Sequence, residues 1–432
     1  MTRITYVPLQ TAEETSYTSV HHSDEPITHH VFHVLSVIGR NVRYLPSAFK
    51  PHRDPTPLPG VTLPKINAMQ KYLEFSRFSG LDIAMIVIAL TILPTGELIW
   101  HYRAWQLVFL ACGLLYFGQL PLSIPSRTFC KSRARLGRVR RHEDEKWFFI
   151  NGPDGSRRNL QTTVDRLSAT FQRPVTGIQS PSYGFVYEAI VGLLLQMGDD
   201  NARAVHVVYD SLKNKLLDDR ISKVVVVAHA LGGVILSHTI DRLIHSLPRN
   251  CMTKLEIYTF GSAAFHFANP LKSTAGDQPT TISEPTFLIP IIEHYANDFD
   301  PVARIGVIHH TRKQPKTRYA GRLFIHQHAS GSFFNEHYLD SMFPLSVAKD
   351  AQGLPGSMNH FLDQMVCVDE KTAKKRALSM DAAMHGDVPI RLGDKERRMS
   401  VQAETAMSVE EGSGRTVRSL SRLWRYVGGG RP

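Results

Sequence analysis

The hydrophobic and polar positions of this 432-residue chain divide it into a polar start, an apolar segment and a long alternation of strands and helices. From residue 147 onward, short apolar runs alternate with stretches of helical spacing. This order predicts an α/β fold, with a mostly parallel sheet flanked by helices. The predicted strands are 147–151, 175–178, 224–227, 255–260 and 288–296, and the predicted helices are 160–171, 183–196 and 202–217. We also expect residues 305–309 and 321–326 to form an edge hairpin.

Two apolar runs, residues 81–93 and 104–125, precede this alternation. A membrane-spanning helix needs ~20 apolar residues, a length that only the second run reaches. Residues 127–141 then carry seven basic side chains and no acidic one, and residues 65–77 carry three more basic side chains. Because basic flanks mark the cytosolic side, we predict an apolar helical hairpin that enters and leaves the membrane on that side. Packing of these helices on the globular domain is the alternative.

These patterns divide the chain into five parts. They are a polar and largely flexible arm (1–78), membrane-helix candidates (79–125), a basic linker (126–146), the α/β domain (147–345) and a charged, mostly disordered tail (346–432). The four cysteines form no CxxC pair, which favours a reducing, cytosol-facing location and gives no metal site. We expect no cofactor either.

The net charge of +11 suits an anionic partner. No aromatic residues or reading motif interleave with the arginines of the linker, so a nucleic acid is not the expected partner. A membrane lipid fits the position of the basic residues beside an apolar segment, and a protein partner is a further expectation.

One stretch, residues 223–237, organises the predicted α/β domain. Its four consecutive valines predict a strand buried on both faces, and an apolar helical run begins at residue 234. Between them lies the turn AHALGG, residues 228–233. A strand, a tight turn of small residues and a helix form the setting of the α/β-hydrolase nucleophile elbow, which has a serine at its centre. Here Ala230 occupies the central position, and its methyl group cannot form an acyl-enzyme.

The chain resembles lipase-like α/β-hydrolases, and more closely a group of uncharacterised fungal proteins of that superfamily. The shared motifs are WFFING, PVTGI, an elbow like VVVIAHS, IYTFGSAA and NEHYL, all within residues 147–345. The resemblance implies an α/β-hydrolase-like fold of the lipase or esterase type, here with a degenerate elbow. In that fold the acid follows the strand two after the elbow, where this chain has Asp298 and Asp300. We prefer Asp300, because Pro-Val follows it, as it follows the acid in lipase-like relatives.

The histidine of such a triad should lie in the loop after the last strand. Three histidines are candidates there: His326, His328 and His337. Related sequences carry a glycine–histidine pair where this chain has Gly331 and Ser332. If that pair holds the catalytic histidine, Ser332 has replaced it. If His337 is the base instead, it lies in a stretch where a buried core histidine is equally expected.

The oxyanion hole gives an independent test of the site. One donor is the backbone N–H of the residue after the nucleophile, here Leu231, and the other comes from the loop after an early strand. Pro153 falls at that second place, and proline has no N–H. Changes at Ala230, Pro153 and Ser332 together favour natural degeneration over a single substitution.

The sequence therefore predicts a membrane-associated protein of the lipase or esterase type that is catalytically degenerate and binds lipid or a protein partner. Its globular domain should face the cytosol. An active serine-type lipase or esterase with an atypical nucleophile is the first alternative. A membrane scaffold whose pocket has no role is the second.

Overall fold

A nine-stranded, mostly parallel sheet forms the centre of the protein. The computed structural model describes residues 3–8, 36, 39–44, 129–133, 142–151, 157–179, 203–270, 287–312, 319–344, 361–369 and 414–432. The strands are β1 (Ile4–Val7), β2 (Phe129–Lys131), β3 (Glu145–Ile150), β4 (Val175–Ile178), β5 (Lys223–His229), β6 (Leu255–Phe260), β7 (Ile291–Asn297), β8 (Arg322–His326) and β9 (Val366–Val368). Their order is β2-β4-β3-β5-β6-β7-β8-β1-β9. Strands β3 to β8 are mutually parallel, whereas β2 and β1 pair antiparallel with β4 and β8.

Helices cover both faces of this sheet. They are α1 (Arg157–Phe171), α2 (Arg203–Leu216), α3 (Leu231–Ser246), α4 (Arg249–Met252), α5 (Pro301–Ile305), α6 (Val307–Arg312), α7 (Asp340–Met342) and α8 (Val417–Leu420), with a π-helical turn (Phe334–Leu339) and 3₁₀ segments (Val42–Tyr44 and Leu423–Gly429). Buried side chains of α2 and α3 join one apolar cluster, and those of α1 and the π-helical turn join the other. The predicted α/β fold with a mostly parallel sheet is confirmed.

Strand β5 shows why the sequence reads as a continuous apolar run. Val224 and Val226 belong to the cluster on one face, and Val225 and Val227 belong to the cluster on the other. All four side chains are inaccessible to solvent. A strand with helices on both faces needs apolar residues at every position, so the alternation typical of half-buried strands is absent.

Both ends of the chain contribute to the sheet layer, where the sequence analysis placed a flexible arm and a disordered tail. β1 lies between β8 and β9, and its residues Ile4 and Tyr6 are fully buried. Residues 361–369 supply β9, and residues 414–432 bury Leu423 and Tyr426 in the same cluster as α1. Strands β1 and β9 have only four and three residues, too few to show a periodicity in the sequence. The strands with which they pair also lie hundreds of residues away in the chain.

The expected edge hairpin is wrong. Residues 321–326 do form strand β8, but it pairs parallel with β7, and residues 307–312 form helix α6 instead of a strand. Asp300 caps α5 by accepting the N–H of Val302, and Pro301 stands at the first helical position. This start is typical of helices, and α6 continues it after a single interruption at Gly306.

No helix within the described ranges is both long and apolar enough to cross a membrane. The predicted hairpin, residues 79–125, lies outside the described residues, as do the predicted helix 183–196 and Pro153. Of the basic linker, residues 129–133 and 142–146 are described, and they form the edge strand β2 and the start of β3.

Candidate active site

The turn between β5 and α3 has a strained backbone. Ala230 adopts φ 51° and ψ −118°, a combination that residues with a side chain rarely show. Its N–H donates to the carbonyl of Phe260 at 3.0 Å, and its carbonyl accepts from the N–H groups of Gly233 at 3.0 Å and Ala263 at 3.1 Å. These bonds hold the methyl group of Ala230 where the sequence analysis placed the vacated nucleophile.

Two glycines let α3 approach the strand ends closely. A Cβ on Gly232 would lie 2.4 Å from the carbonyl oxygen of Ile150 and 3.0 Å from that of Asn151. A Cβ on Gly233 would lie 2.3 Å from Oγ of Ser262. Since Cβ atoms do not approach other atoms this closely, both positions require glycine. The first turn of α3 is therefore fixed between the carboxyl ends of β3 and β6.

Asp300 follows β7 and carries the buried carboxylate of the site. Its Oδ1 accepts from the N–H of Val302 at 2.9 Å and from Oγ of Ser332 at 2.5 Å, and its Oδ2 accepts from the hydroxyl of Tyr338. The side chain is inaccessible to solvent. Burial raises the pKa of Asp300 from 3.8 to about 6, although these hydrogen bonds oppose the rise.

Ser332 is the side chain that meets Asp300 from the loop after β8. Besides donating its hydroxyl to that carboxylate, it accepts a hydrogen bond at its backbone carbonyl from Nε2 of His229, at 2.8 Å. Gly331 precedes it with φ 102°, in the region that favours glycine. The pair Gly331–Ser332, which the sequence analysis compared with a glycine–histidine pair, thus contacts Asp300 through Ser332.

His337 lies on the π-helical turn and faces the backbone of its own loop. Its Nδ1 accepts the N–H of Phe333 at 3.0 Å, and the two rings stack with centroids 5.5 Å apart. A Cβ on Gly331 would lie 2.2 Å from Cγ of His337, so the ring packs directly on that glycine. Among the described residues, the hydrogen-bond partners of Asp300 include no histidine. The structure brings Asp300 together with Ser332 and Tyr338 instead.

The remaining acid and histidine candidates lie away from this carboxylate. Asp298 forms an ion pair with Arg304, with Oδ1 and Nη2 3.0 Å apart. His328 is exposed and adopts a positive φ of 60°. His326 ends β8 in a largely buried position, and burial lowers its pKa to about 4.

Of the two expected oxyanion donors, the structure describes one. Leu231 is the first residue of α3, and N–H groups in the first turn of a helix have no acceptor within that helix. The helix dipole also favours a partial negative charge at this end. The N–H of Leu231 can therefore serve an oxygen above Ala230. Pro153, the expected position of the second donor, lies outside the described residues.

His229 belongs to the site although the sequence analysis did not select it. It ends β5 directly before Ala230, and its ring contacts those of Phe334 and Tyr338. Nε2 donates to the carbonyl of Ser332, so Nδ1 carries no proton and has no hydrogen-bond partner. Burial, together with the nearby His337, lowers the pKa of His229 to about 4, although the hydrogen bond to Ser332 opposes this. The only sequence signal for His229 was its position directly before Ala230.

The site therefore offers a hydroxyl bound to a buried carboxylate, a helix N-terminus and a neutral imidazole. The N–H at the helix N-terminus can donate to a carbonyl oxygen, and the oxygen of the Ser332 hydroxyl can accept from a hydroxyl group. Within the part of the chain that the structure describes, no three His, Cys, Asp or Glu side chains are placed to hold a metal ion.

Comparisons with known proteins add little to this geometry. No protein-family model matches the chain. No curated protein matches it either. Among solved structures, that of an arylesterase is 11% identical, covers 56% of this chain and 94% of its own, and superposes with a TM-score of 0.30. An esterase from Pyrobaculum calidifontis is 12% identical, covers 54% and 85%, and gives a TM-score of 0.27.

Proposed function

We propose that the chain is a hydrolase-fold protein of the lipase or esterase type whose active site has lost its chemistry and is retained for binding. The observation that carries this proposal is the 2.5 Å hydrogen bond between Asp300 and Ser332, beside an alanine at the strained elbow. In a catalytic triad, the acid would form this hydrogen bond with the histidine. Here both the nucleophile and the base are replaced, while the backbone around them is kept.

The chemical cost of these replacements is large. A serine nucleophile needs a base within hydrogen-bond reach, and proton transfer by such a base contributes ~10²–10⁴-fold to the rate. Ala230 has no atom that can attack a carbonyl carbon. Binding and a single oxyanion donor leave only ~10³–10⁴-fold over water in triad-free proteases. The ligand that we expect is a lipid or another acyl compound whose carbonyl oxygen meets the N–H of Leu231.

The test is to rebuild the triad. We compare hydrolysis of p-nitrophenyl butyrate by the unmodified protein, Ala230→Ser, and Ala230→Ser combined with Ser332→His. The unmodified protein should match buffer. The double variant should hydrolyse the ester ~100-fold faster than Ala230→Ser, because only the double variant has both a nucleophile and a base. Robust turnover by the unmodified protein would contradict the proposal.

A second function is favoured by the same hydrogen bond. Ser332 is partly exposed, and its hydroxyl donates to a carboxylate whose pKa is about 6. In this alternative, Oγ of Ser332 attacks the ester carbonyl carbon while its proton passes to Oδ1 of Asp300. The ester C–O bond then breaks, the leaving alkoxide takes that proton, and water hydrolyses the acyl-serine to release the carboxylic acid.

A fluorophosphonate probe separates the two functions. The first predicts no covalent adduct on the unmodified protein. The second predicts an adduct on Ser332 by peptide mass spectrometry, which disappears in Ser332→Ala and weakens in Asp300→Asn. Since the probe forms a stable bond to an activated serine, a slow reaction would still be detected.

We propose further that the chain associates with membranes through its apolar segment and faces the cytosol. Strands β1 and β2 belong to one sheet, so residues 4–7 and 129–131 lie on the same side of any membrane. An apolar segment between them must cross an even number of times, which supports a hairpin over a single span. Substituting the four arginines at 135, 138, 140 and 141 by glutamine should reduce flotation with vesicles that contain phosphatidylserine. Unchanged flotation would count against electrostatic anchoring.

A further inference from the structure

Residues 414–432, here called the C-terminal latch, run from β9 to the amino ends of the parallel strands. Val366 of β9 donates its N–H to the carbonyl of Arg415, which begins the attachment. The ring of Tyr426 then meets Trp147 of β3 edge-on, with centroids 5.0 Å apart. Ala230 and Asp300 follow the carboxyl ends of their strands, so the part of the latch from Arg422 onward lies at the opposite end of the sheet from the site.

Three buried glutamates form the surface on which the latch lies. Glu145 on β3, Glu256 on β6 and Glu293 on β7 are exposed by only 1%, 5% and 1%. A buried carboxylate without partners costs several kcal/mol, so each of these groups needs donors. Neighbouring strands and loops supply some of them: Arg173 pairs with Glu145 at 2.8 Å, and Lys223 pairs with Glu256 at 3.2 Å.

Tyr258 donates its hydroxyl to Glu256 at 2.9 Å, and the latch supplies further donors. The N–H groups of Arg422 and Leu423 donate to the two oxygens of Glu293, at 2.7 and 3.3 Å. The hydroxyl of Tyr426 donates to Glu256 at 2.7 Å, and Nη2 of Arg422 lies 3.5 Å from the other oxygen of that carboxylate. Without the latch, Glu293 would keep the hydroxyl of Tyr295 and the attraction of Arg322 but lose both backbone donors.

We propose that the C-terminal latch is a conformational device that docks as one unit on this row of buried carboxylates and orders strand β7. Docking is all-or-none because a partial release leaves a carboxylate buried and short of donors. Apolar packing of Leu423 and Tyr426 adds attraction but does not fix the position of the segment. The charged contacts fix it.

A chain of contacts joins the latch to the strand that carries the acid. The hydroxyl of Tyr295, in β7, bonds both Glu293 and Oγ of Ser421 in the latch. The ring of Tyr295 stacks on Phe260 at 4.9 Å, and the carbonyl of Phe260 accepts the N–H of Ala230. Release of the latch should therefore loosen β7 along its length, including the turn at its carboxyl end.

Hydrogen exchange of the full chain tests the latch. In Glu293→Gln, one oxygen acceptor becomes an NH₂ donor facing an N–H group, so docking is weakened. Amides of residues 415–430 should exchange ~100-fold faster, and those of β7 should follow, while β3 and β5 stay protected. Arg425→Gln, an exposed latch position, is the control and should change nothing. Unchanged exchange of the latch in Glu293→Gln would overturn the proposal.

A double-mutant cycle separates charge pairing from packing. Glu256→Gln and Arg422→Gln should each accelerate amide exchange of the latch. In the combined variant, the factor of acceleration should be smaller than the product of the two single factors. For Leu423→Ala combined with Glu256→Gln, the factor should instead equal the product of the two single factors, since Leu423→Ala removes only apolar contact. If both pairs combine independently, the carboxylates do not hold the latch and the proposal fails.

Discussion

The backbone strain at Ala230 predicts that glycine is tolerated there far better than at a relaxed alanine. We compare Ala230→Gly with Ala228→Gly, two residues earlier in β5, because both alanines are buried and lose the same methyl group. Each substitution costs ~0.5–1 kcal/mol for the added freedom of the unfolded chain and ~0.8 kcal/mol for the lost methyl. Only Ala230→Gly also relieves a positive φ of 51°, which is worth ~1–3 kcal/mol.

The expected difference between the two variants is therefore the strain itself, about 2 kcal/mol in favour of Ala230→Gly. Ala228→Gly should be destabilised by ~1.5 kcal/mol, and Ala230→Gly should lie within ~1 kcal/mol of the unmodified protein. Urea unfolding followed by tryptophan fluorescence measures both, provided that the slopes agree. Equal destabilisation of the two variants would refute the strained elbow.

Three further predictions concern the surroundings of the elbow. Gly232→Ala should lower the free energy of unfolding by ~3 kcal/mol in urea melts, because its Cβ would lie 2.4 Å from the carbonyl oxygen of Ile150. Asp300 has a pKa of about 6 when folded and about 4 when unfolded, so the folded protein binds more protons between these values and stability falls as pH rises through them. As the pH rises from 4 to 6.5, the free energy of unfolding of Asp300→Asn should increase by ~3 kcal/mol relative to that of the unmodified protein. A difference between the two proteins that does not change with pH would contradict the raised pKa. Arg166→Met should lower the free energy of unfolding by ~3 kcal/mol, because it removes the buried guanidinium that pairs with Asp340, whereas adding Asp340→Asn should restore part of that loss.

Much of the central fold follows from local sequence signals. The four valines of β5, the apolar run Leu255–Phe260 and the helical spacing of α1 each produce a pattern within one element, and each is found where expected. The glycines after the elbow also follow from local sequence, since Gly232 must fit against a neighbouring strand whatever the rest of the chain does.

Features that depend on residues far apart in the chain could not be predicted from the sequence. Residues 307–312 carry β-favouring residues and two histidines, but they directly follow α5, which Asp300 caps, and they are helical and buried from Val307 to Thr311. β1 contains four residues, too few for a periodicity. The contact between Ser332 and Asp300 also depends on the fold, because 32 residues separate them, and the sequence analysis named His337 as the base and Ser332 only as an alternative.

The position of β1 has a consequence for how the chain is made. Ile4 pairs with His326 on one side and with Val366 on the other, so β1 waits for partners that leave the ribosome more than 300 residues later. Closing so long a loop is slow, although its entropic cost grows only with the logarithm of its length. From its own synthesis until β1 pairs with it, β8 has an unpaired edge to which a second chain can add. Synthesis of this protein should therefore depend on chaperones that shield that edge until β1 has paired with it.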